Sequence, residues 1–316
     1  MSLLTRRRVI VARIEDVEGV AEELTVADGG ILALDPKFDP DIKMNNRENV
    51  LLPDLSPLQP VPGSRAAKIS FKVEIKGAGE PYSLTVQPAL GKYLRACGKQ
   101  EIIVATPGSE SVMYKPASDG VPSLTIWMFL DGTVKRIRGA RGTVKYTGNS
   151  GEPCYAEFDF QGVYNEVVDL AMVAPDFEQT VPPVFLNAAV ALGSYAATIK
   201  SFTIDTANTL ALRDDPAFAE GYSSCLITSR RPTGKLDPEF AKVAEHDFYG
   251  IWKAGTPLAL SVGPIGSAQY NRFIIDAPKV VTSKISEGDR NALAIADTDF
   301  VLARDAGNDE EVLTFT

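Results

Sequence analysis

The sequence predicts a mainly β protein built from two similar tandem halves, each carrying one short helix. Three observations carry this. Short runs throughout the chain alternate apolar and polar residues with a period of two, the pattern of strands half buried against a core. Only two segments show helical spacing, and the order of strand and helix signals recurs once. At 316 residues the chain exceeds the usual single-domain size, so two domains of ordinary length are expected.

In the first half Ile69, Phe71, Val73 and Ile75 alternate with Lys68, Ser70, Lys72 and Glu74. Leu124, Ile126, Met128 and Leu130 share one face of a second strand, and Asp131-Gly132 supplies a hairpin turn. Strands follow over residues 134–138 and 143–147, divided by Gly139 and Gly142, and Ala156, Phe158 and Phe160 close the set. Residues 87–97 place Leu90 and Leu94 four apart and end before Gly98, which predicts a short amphipathic helix. In the second half Asp237-Pro238-Glu239 reads as a helix start, with Asp as N-cap, and the helix should end near Gly255. The order "AAKISFKVEIKG", "QPALGKYLRACG", "SLTIWMFLDGTVKRIRGARGTVKY", "EPCYAEFDFQG" is matched by "YSSCLITSRRPTG", "DPEFAKVAEHDFYGIWKAG", "PLALSVGPIGSAQYNRFIIDAPKVVTSK", "NALAIADTDFVL". Identity between the halves is low, so element order and spacing carry the inferred duplication. Residues 163–196, with Pro175, Pro182 and Pro183, form the expected linker between a first unit at 1–162 and a second at 197–316.

Hydrophobic residues at 45% and charged residues at 23% fit a folded globular chain and argue against disorder. The apolar stretches at 124–130 and 184–192 are far shorter than the roughly 18 to 20 residues of a membrane helix, so no membrane association is expected. Residues 1–14 lack the profile of a secretory signal, which points to synthesis in a cytoplasm without export. Cys97, Cys154 and Cys225 have neither disulfide-framework nor metal-ligand spacing and read as reduced core residues. Residues 1–160 carry 20 basic and 20 acidic side chains, so the whole net charge of −9 falls on the second half. An acidic surface repels phosphate, which argues against tight nucleic-acid binding.

No catalytic constellation emerges. The single histidine, His246, lies between Glu245 and Asp247 and is expected to be solvated. Asp35, Asp39 and Asp41 sit among prolines that favour a turn, while Asp297 and Asp299 share one strand face; both sets read as solvated carboxylates, with no metal and no cofactor assigned. Glu157 and Asp159, two apart on a strand with Tyr155, read as a polar face in preference to a glycosidase pair. The basic stretch Lys135, Arg136, Arg138, Arg141 and Lys145 lacks interleaved aromatics and is broken by glycines, so it is expected to contact a neighbouring subunit by pairing with the acidic second half.

The stretches "DGVPSLTIWMFLDGTVKRIRGARGTV", "VPPVFLNAAVALGSYAATIKSFTIDTANTLALRDD" and "SSCLITSRRPTGKLDPE" resemble the tail tube proteins of long-tailed bacteriophages, in particular those with two fused tube modules. The resemblance covers nearly the whole chain. It implies a mainly β fold of two tandem tail-tube-type β-sandwich or barrel modules, each with a short flanking helix, the first with an N-terminal arm. It further implies a structural virion protein without enzyme activity, assembled in the host cytoplasm into the tail. Such a major tube subunit would form stacked rings, as a trimer of two-module chains or a hexamer, and meet tape measure, tail terminator and distal tail proteins. DNA would pass through its lumen without specific binding. On that reading Glu157, Asp159, Asp276, Asp297 and Asp299 are lumen-facing candidates. The long loop at 99–121 would reach a neighbour, and the subunit would be monomeric before assembly. The competing expectation is a β-sandwich binding or adaptor protein of the virion, an adsorption or neck or baseplate component, in which Trp127 and Trp252 would be exposed.

Overall fold

Period-two patterning becomes strand wherever one face can be buried, and strands take up 52% of this protein against 5% for helix. The structure, a computed structural model, describes residues 3–48, 50, 51, 54 and 56–316. In chain order the first half forms β1 (Arg8–Ile14), β2 (Gly30–Ile31), β3 (Ala33–Asn45), β4 (Val61–Glu74), α1 (Gly91–Ala96), β5 (Lys99–Val104), β6 (Ser111–Pro116), β7 (Leu124–Leu130), β8 (Thr133–Asn149) and β9 (Tyr155–Asp169). The second half forms β10 (Val190–Leu192), β11 (Tyr195–Ala196), β12 (Ser201–Asp205), β13 (Asn208–Asp214), β14 (Tyr222–Arg230), β15 (Thr233–Leu236), α2 (Phe248–Ala254), β16 (Leu258–Ile265), β17 (Phe273–Arg290), β18 (Leu293–Leu302) and β19 (Val312–Phe315).

Pairing follows the same order twice. The first run is β1–β7–β8–β9–β4–β3, antiparallel at each step. The second is β10–β16–β17–β18–β15–β12, also antiparallel throughout. The helices fall at the same place in both, α1 between β4 and β7 and α2 between β15 and β16. Strand β8 changes partner along its length: its first part pairs with β7, and residues 145–149 pair with β12. The two runs thereby share one continuous sheet of eight strands, β3–β4–β9–β8–β12–β15–β18–β17, in which every neighbour is antiparallel.

One face of this sheet is core. Phe71 opposes Phe158, which opposes Val144; Tyr146 opposes Ile204, and Phe202 opposes Leu236. All of these are buried, and they belong to one apolar cluster that runs through both halves. Tyr93 of α1 packs edge-on against Phe71 at 5.4 Å. Glycines make room for rings across the strands. A Cβ on Gly148 would lie 2.3 Å from the Phe202 ring, and one on Gly234 would lie 2.4 Å from Phe300. The C-terminal strand β19 inserts between β17 and β6, so it binds the end of the second half to the first.

Several sequence expectations change. The two strands expected around Gly139 and Gly142 are one strand, β8, which takes up Gly139, at φ 57°, in a bulge between Arg138 and Arg141 and keeps Gly142 in register opposite Phe160. Strand β9 continues to Asp169, and β10 and β11 lie within 163–196, so part of the expected linker is strand. The segment at 99–121 is not a free loop: it forms the β5–β6 hairpin, closed against the chain's own β19. The turn expected at Asp35 to Asp41 is edge strand β3 with a bulge at Asp35, because proline is tolerated where no inner neighbour needs its N–H.

Helix α1 begins at Gly91, four residues later than expected, since Pro88 opens a turn whose carbonyl accepts from the Gly91 N–H. Helix α2 begins at Phe248, capped by Asp247, whose side chain accepts from the Gly250 N–H, and it ends at left-handed Gly255. Asp237 caps no helix. Its carboxylate accepts from the backbone N–H groups of Lys200 and Ser201 and pairs with Arg290 at 3.1 Å, so a tertiary demand takes the residue from the local signal.

Candidate functional site

The second face of the eight-stranded sheet is polar, concave and charged. Strand alternation brings Ser70 and Lys72 of β4, Glu157 and Asp159 of β9, Thr143 and Lys145 of β8, and Asp205 of β12 to one side, where they line an open concavity of about 740 Å³. Across β15 the same face continues through Lys235 to Asp297 and Asp299 of β18, with Lys284 and Ser286 of β17 opposite them.

Charges on this face are paired by register. Glu157 stands opposite both Lys72 and Lys145 and meets them at 2.8 and 4.0 Å. Asp297 meets Lys235 at 2.9 Å. Hydrogen bonds to these carboxylates push the ammonium groups of Lys72 and Lys235 above the ordinary lysine value. Burial raises the carboxyl of Asp159, with Lys68 acting against the shift. Glu157, Asp159, Asp297 and Asp299 therefore share one surface, and that surface is charge-balanced by lysines where an acidic one was expected. Asp276 does not join them. It lies in the part of β17 flanked by β16 and β19, where the Ser261 hydroxyl donates to it at 2.6 Å.

The five basic candidates separate. Lys145 belongs to the paired face just described. Lys135 lies over the Phe38 ring at 5.4 Å, and Arg136 lies over the Trp127 ring at 5.5 Å while donating to the Glu166 carbonyl. Arg138 and Arg141 are buried and engaged within the chain. Arg138 donates to the Gly19 carbonyl and to Glu220, and its guanidinium covers Phe218. Arg141 grips both oxygens of Glu18 and donates to the carbonyls of Val121 and Cys225. Both arginines thus fasten the β13–β14 hairpin of the second half onto the β8 bulge of the first. The expected pairing of basic stretch with acidic second half exists at Arg138 and Glu220, but inside one chain.

Glu18 is held at about 2, chiefly by its hydrogen bonds from Arg141, with Ser224 adding a bond at 2.6 Å. Beside it Glu15 accepts from the N–H groups of Gly19 and Gly139 and from the hydroxyls of Ser123 and Thr125. Neither role is legible in the sequence, because apart from Gly19 the partners of these glutamates lie over 100 residues away.

His246, expected in solvent, is 9% exposed and stacks on Tyr195 at 4.6 Å and against Phe248 at 4.4 Å. Burial lowers its pKa. Trp252 is exposed, as the competing reading expects, but Trp127 is buried, so the two form no shared aromatic platform. The three cysteines are free and buried. Among the described residues no group of three or more His, Cys, Asp or Glu is placed to hold a metal ion, and no helix is long and apolar enough to cross a membrane.

Among the described residues the sheet is antiparallel from β3 to β17, with a charged concave face, and β3 pairs on one side only. The phage tail tube protein family model matches residues 5–302, so the chain belongs to the phage tail tube protein family. It is a structural protein of the virion tail. A comparison with curated proteins finds no match.

Proposed function

We propose that this chain is the major subunit of the tail tube, that three copies close into a ring, and that stacked rings form the channel through which DNA leaves the virion. The observation that carries this reading is the eight-stranded antiparallel sheet with a polar concave face and a core behind it. Three such sheets, with strands about 4.8 Å apart and tilted by about 40°, would close as a barrel of about 24 strands, roughly 48 Å across at the backbone. Inward side chains remove about 10 Å, which leaves clearance for duplex DNA roughly 20 Å wide. The repeated pairing order supports two fused modules, residues 1–162 and 197–316 with a connector between, each giving four strands to the barrel. The chain then works by geometry and charge, without catalysing a reaction, and its ends of tube meet tape measure, terminator and distal tail proteins.

The lumen on this reading is lined by Glu157, Asp159, Asp297 and Asp299, each beside a lysine. Lys72 and Lys145 are paired with Glu157 and Lys235 with Asp297, so these three lysines have little free charge to exchange for the counterions of DNA, and the wall gains little affinity for phosphate from them. The test replaces Asp297 and Asp299 with lysine. Tubes should still assemble, while DNA ejection should slow and become salt-dependent. Loss of assembly with normal ejection from the surviving particles would put the pair at an interface and remove it from the bore.

A further inference from the structure

Two strand edges of the eight-stranded sheet have no strand partner among the described residues. One is the outer edge of β3, which pairs only with β4. The other is the far part of β17: its pairing with β16 ends at Val280, while its pairing with β18 runs on to Arg290. Strand β8 has the same division, with one difference. Its far part is covered, by β12, at the joint between the halves.

From this likeness, and resting on the tube reading above, we propose that the β8–β12 joint within the chain is the template for the joint between chains, where β17 of one copy pairs with β3 of the next. Eight antiparallel neighbours leave β3 and β17 running in opposite directions, which is what head-to-tail antiparallel closure requires.

The repeated pairing sets the register. Ser70 and Lys235 occupy corresponding positions, opposite Asp159 and Asp299. Ser70 faces Lys37, and Lys235 faces Thr203, so Asp39 corresponds to Asp205. On the other side Thr143 and Lys284 face the same two aspartates, so Lys145 corresponds to Ser286. Asp205 stands opposite Lys145 in the joint within the chain. Between chains Asp39 therefore stands opposite Ser286, and Asp41 opposite Lys284, which places an acid against a base. Pro40 takes the place of Thr206, whose N–H donates to the Val144 carbonyl at 3.0 Å, so the joint between chains has one donor fewer than its template.

The test is a cysteine pair, Asp39→Cys with Ser286→Cys, oxidised after tube assembly has been verified by electron microscopy. Asp205→Cys with Lys145→Cys serves as the control for the same geometry inside one chain. A covalent ladder ending at the closed ring is expected for the first pair, and a monomer with an internal bridge for the control. Normal tubes that give monomers only, while the control bridges, would overturn the joint and leave the tube reading standing. A better yield from Asp39→Cys with Lys284→Cys would overturn the register. Failure of the unmodified chain to form tubes would defeat the tube reading itself. If the cysteine variants do not assemble, hydrogen exchange on the unmodified chain decides: the Phe38 and Glu287 amides should become protected on assembly, and unchanged exchange in tubes would overturn the proposal.

Discussion

Lys99 and Glu311, 212 residues apart in sequence, form an ion pair buried inside the core. Burial pushes the Glu311 carboxyl up and the Lys99 ammonium holds it down, so each group depends on the other. The pair joins β5 of the first half to the start of β19, which closes the second half against β6. Replacing Lys99 alone with methionine leaves a buried carboxylate without its counter-ion and should cost about 3–5 kcal/mol. The double variant Lys99→Met with Glu311→Leu should recover most of that loss. Urea unfolding of the unmodified chain, Lys99→Met, Glu311→Leu and the double variant measures the coupling, and equal loss in the Lys99→Met and double variants would show that the pair is not the source.

Glu18 links stability to acid. Its carboxyl sits at about 2 in the folded chain against 4.5 as the ordinary value. The contribution is therefore full above 4.5 and is lost as pH falls toward 2. At neutral pH Glu18→Gln should melt below the unmodified protein, and the gap should narrow as pH falls through that window. A gap that stays constant with pH would mean that Glu18 acts by packing alone. Because the side chain is 42% exposed, the effect should also weaken in high salt.

Gly234 of β15 leaves space for the ring of Phe300, its partner on β18. Gly234→Ala puts a Cβ at 2.4 Å from that ring, so the ring or the strand must shift. The expected loss is about 1–3 kcal/mol, read from the urea midpoint, with an unchanged slope.

The turn between β17 and β18 places Asn291 and Ala292 at φ 55° and 66°. Alanine is strained there and glycine is not, so Ala292→Gly should stabilise the chain by about 0.5–1 kcal/mol in spite of glycine's greater backbone entropy. A rise in melting temperature is the readout.

Much of the fold was legible in local pattern. The alternations of residues 68–75 and 124–130 became β4 and β7, and Asp131-Gly132 became the tight turn between β7 and β8, with both residues at positive φ. What failed had partners far away. Asp237 carries a helix-start signal, yet backbone groups at Lys200 and Ser201 and the guanidinium of Arg290 claim its side chain. Arg138 and Arg141 look like surface charge because the acids that bury them, Glu220 and Glu18, are 82 and 123 residues away. Alternation did place Asp297 and Asp299 on one face, but it could not reveal the lysines across the strands, since register depends on pairing and not on composition.

The central claim is that the concave charged sheet becomes the wall of a bore. Electron cryo-microscopy of the purified full chain, incubated with the tail initiator complex, tests it most directly. The account predicts stacked threefold rings with a continuous β-barrel bore, and Glu157, Asp159, Asp297 and Asp299 facing the lumen. A chain that stays monomeric at high concentration with the initiator present, or a tube whose bore is lined by another face of the subunit, would contradict it.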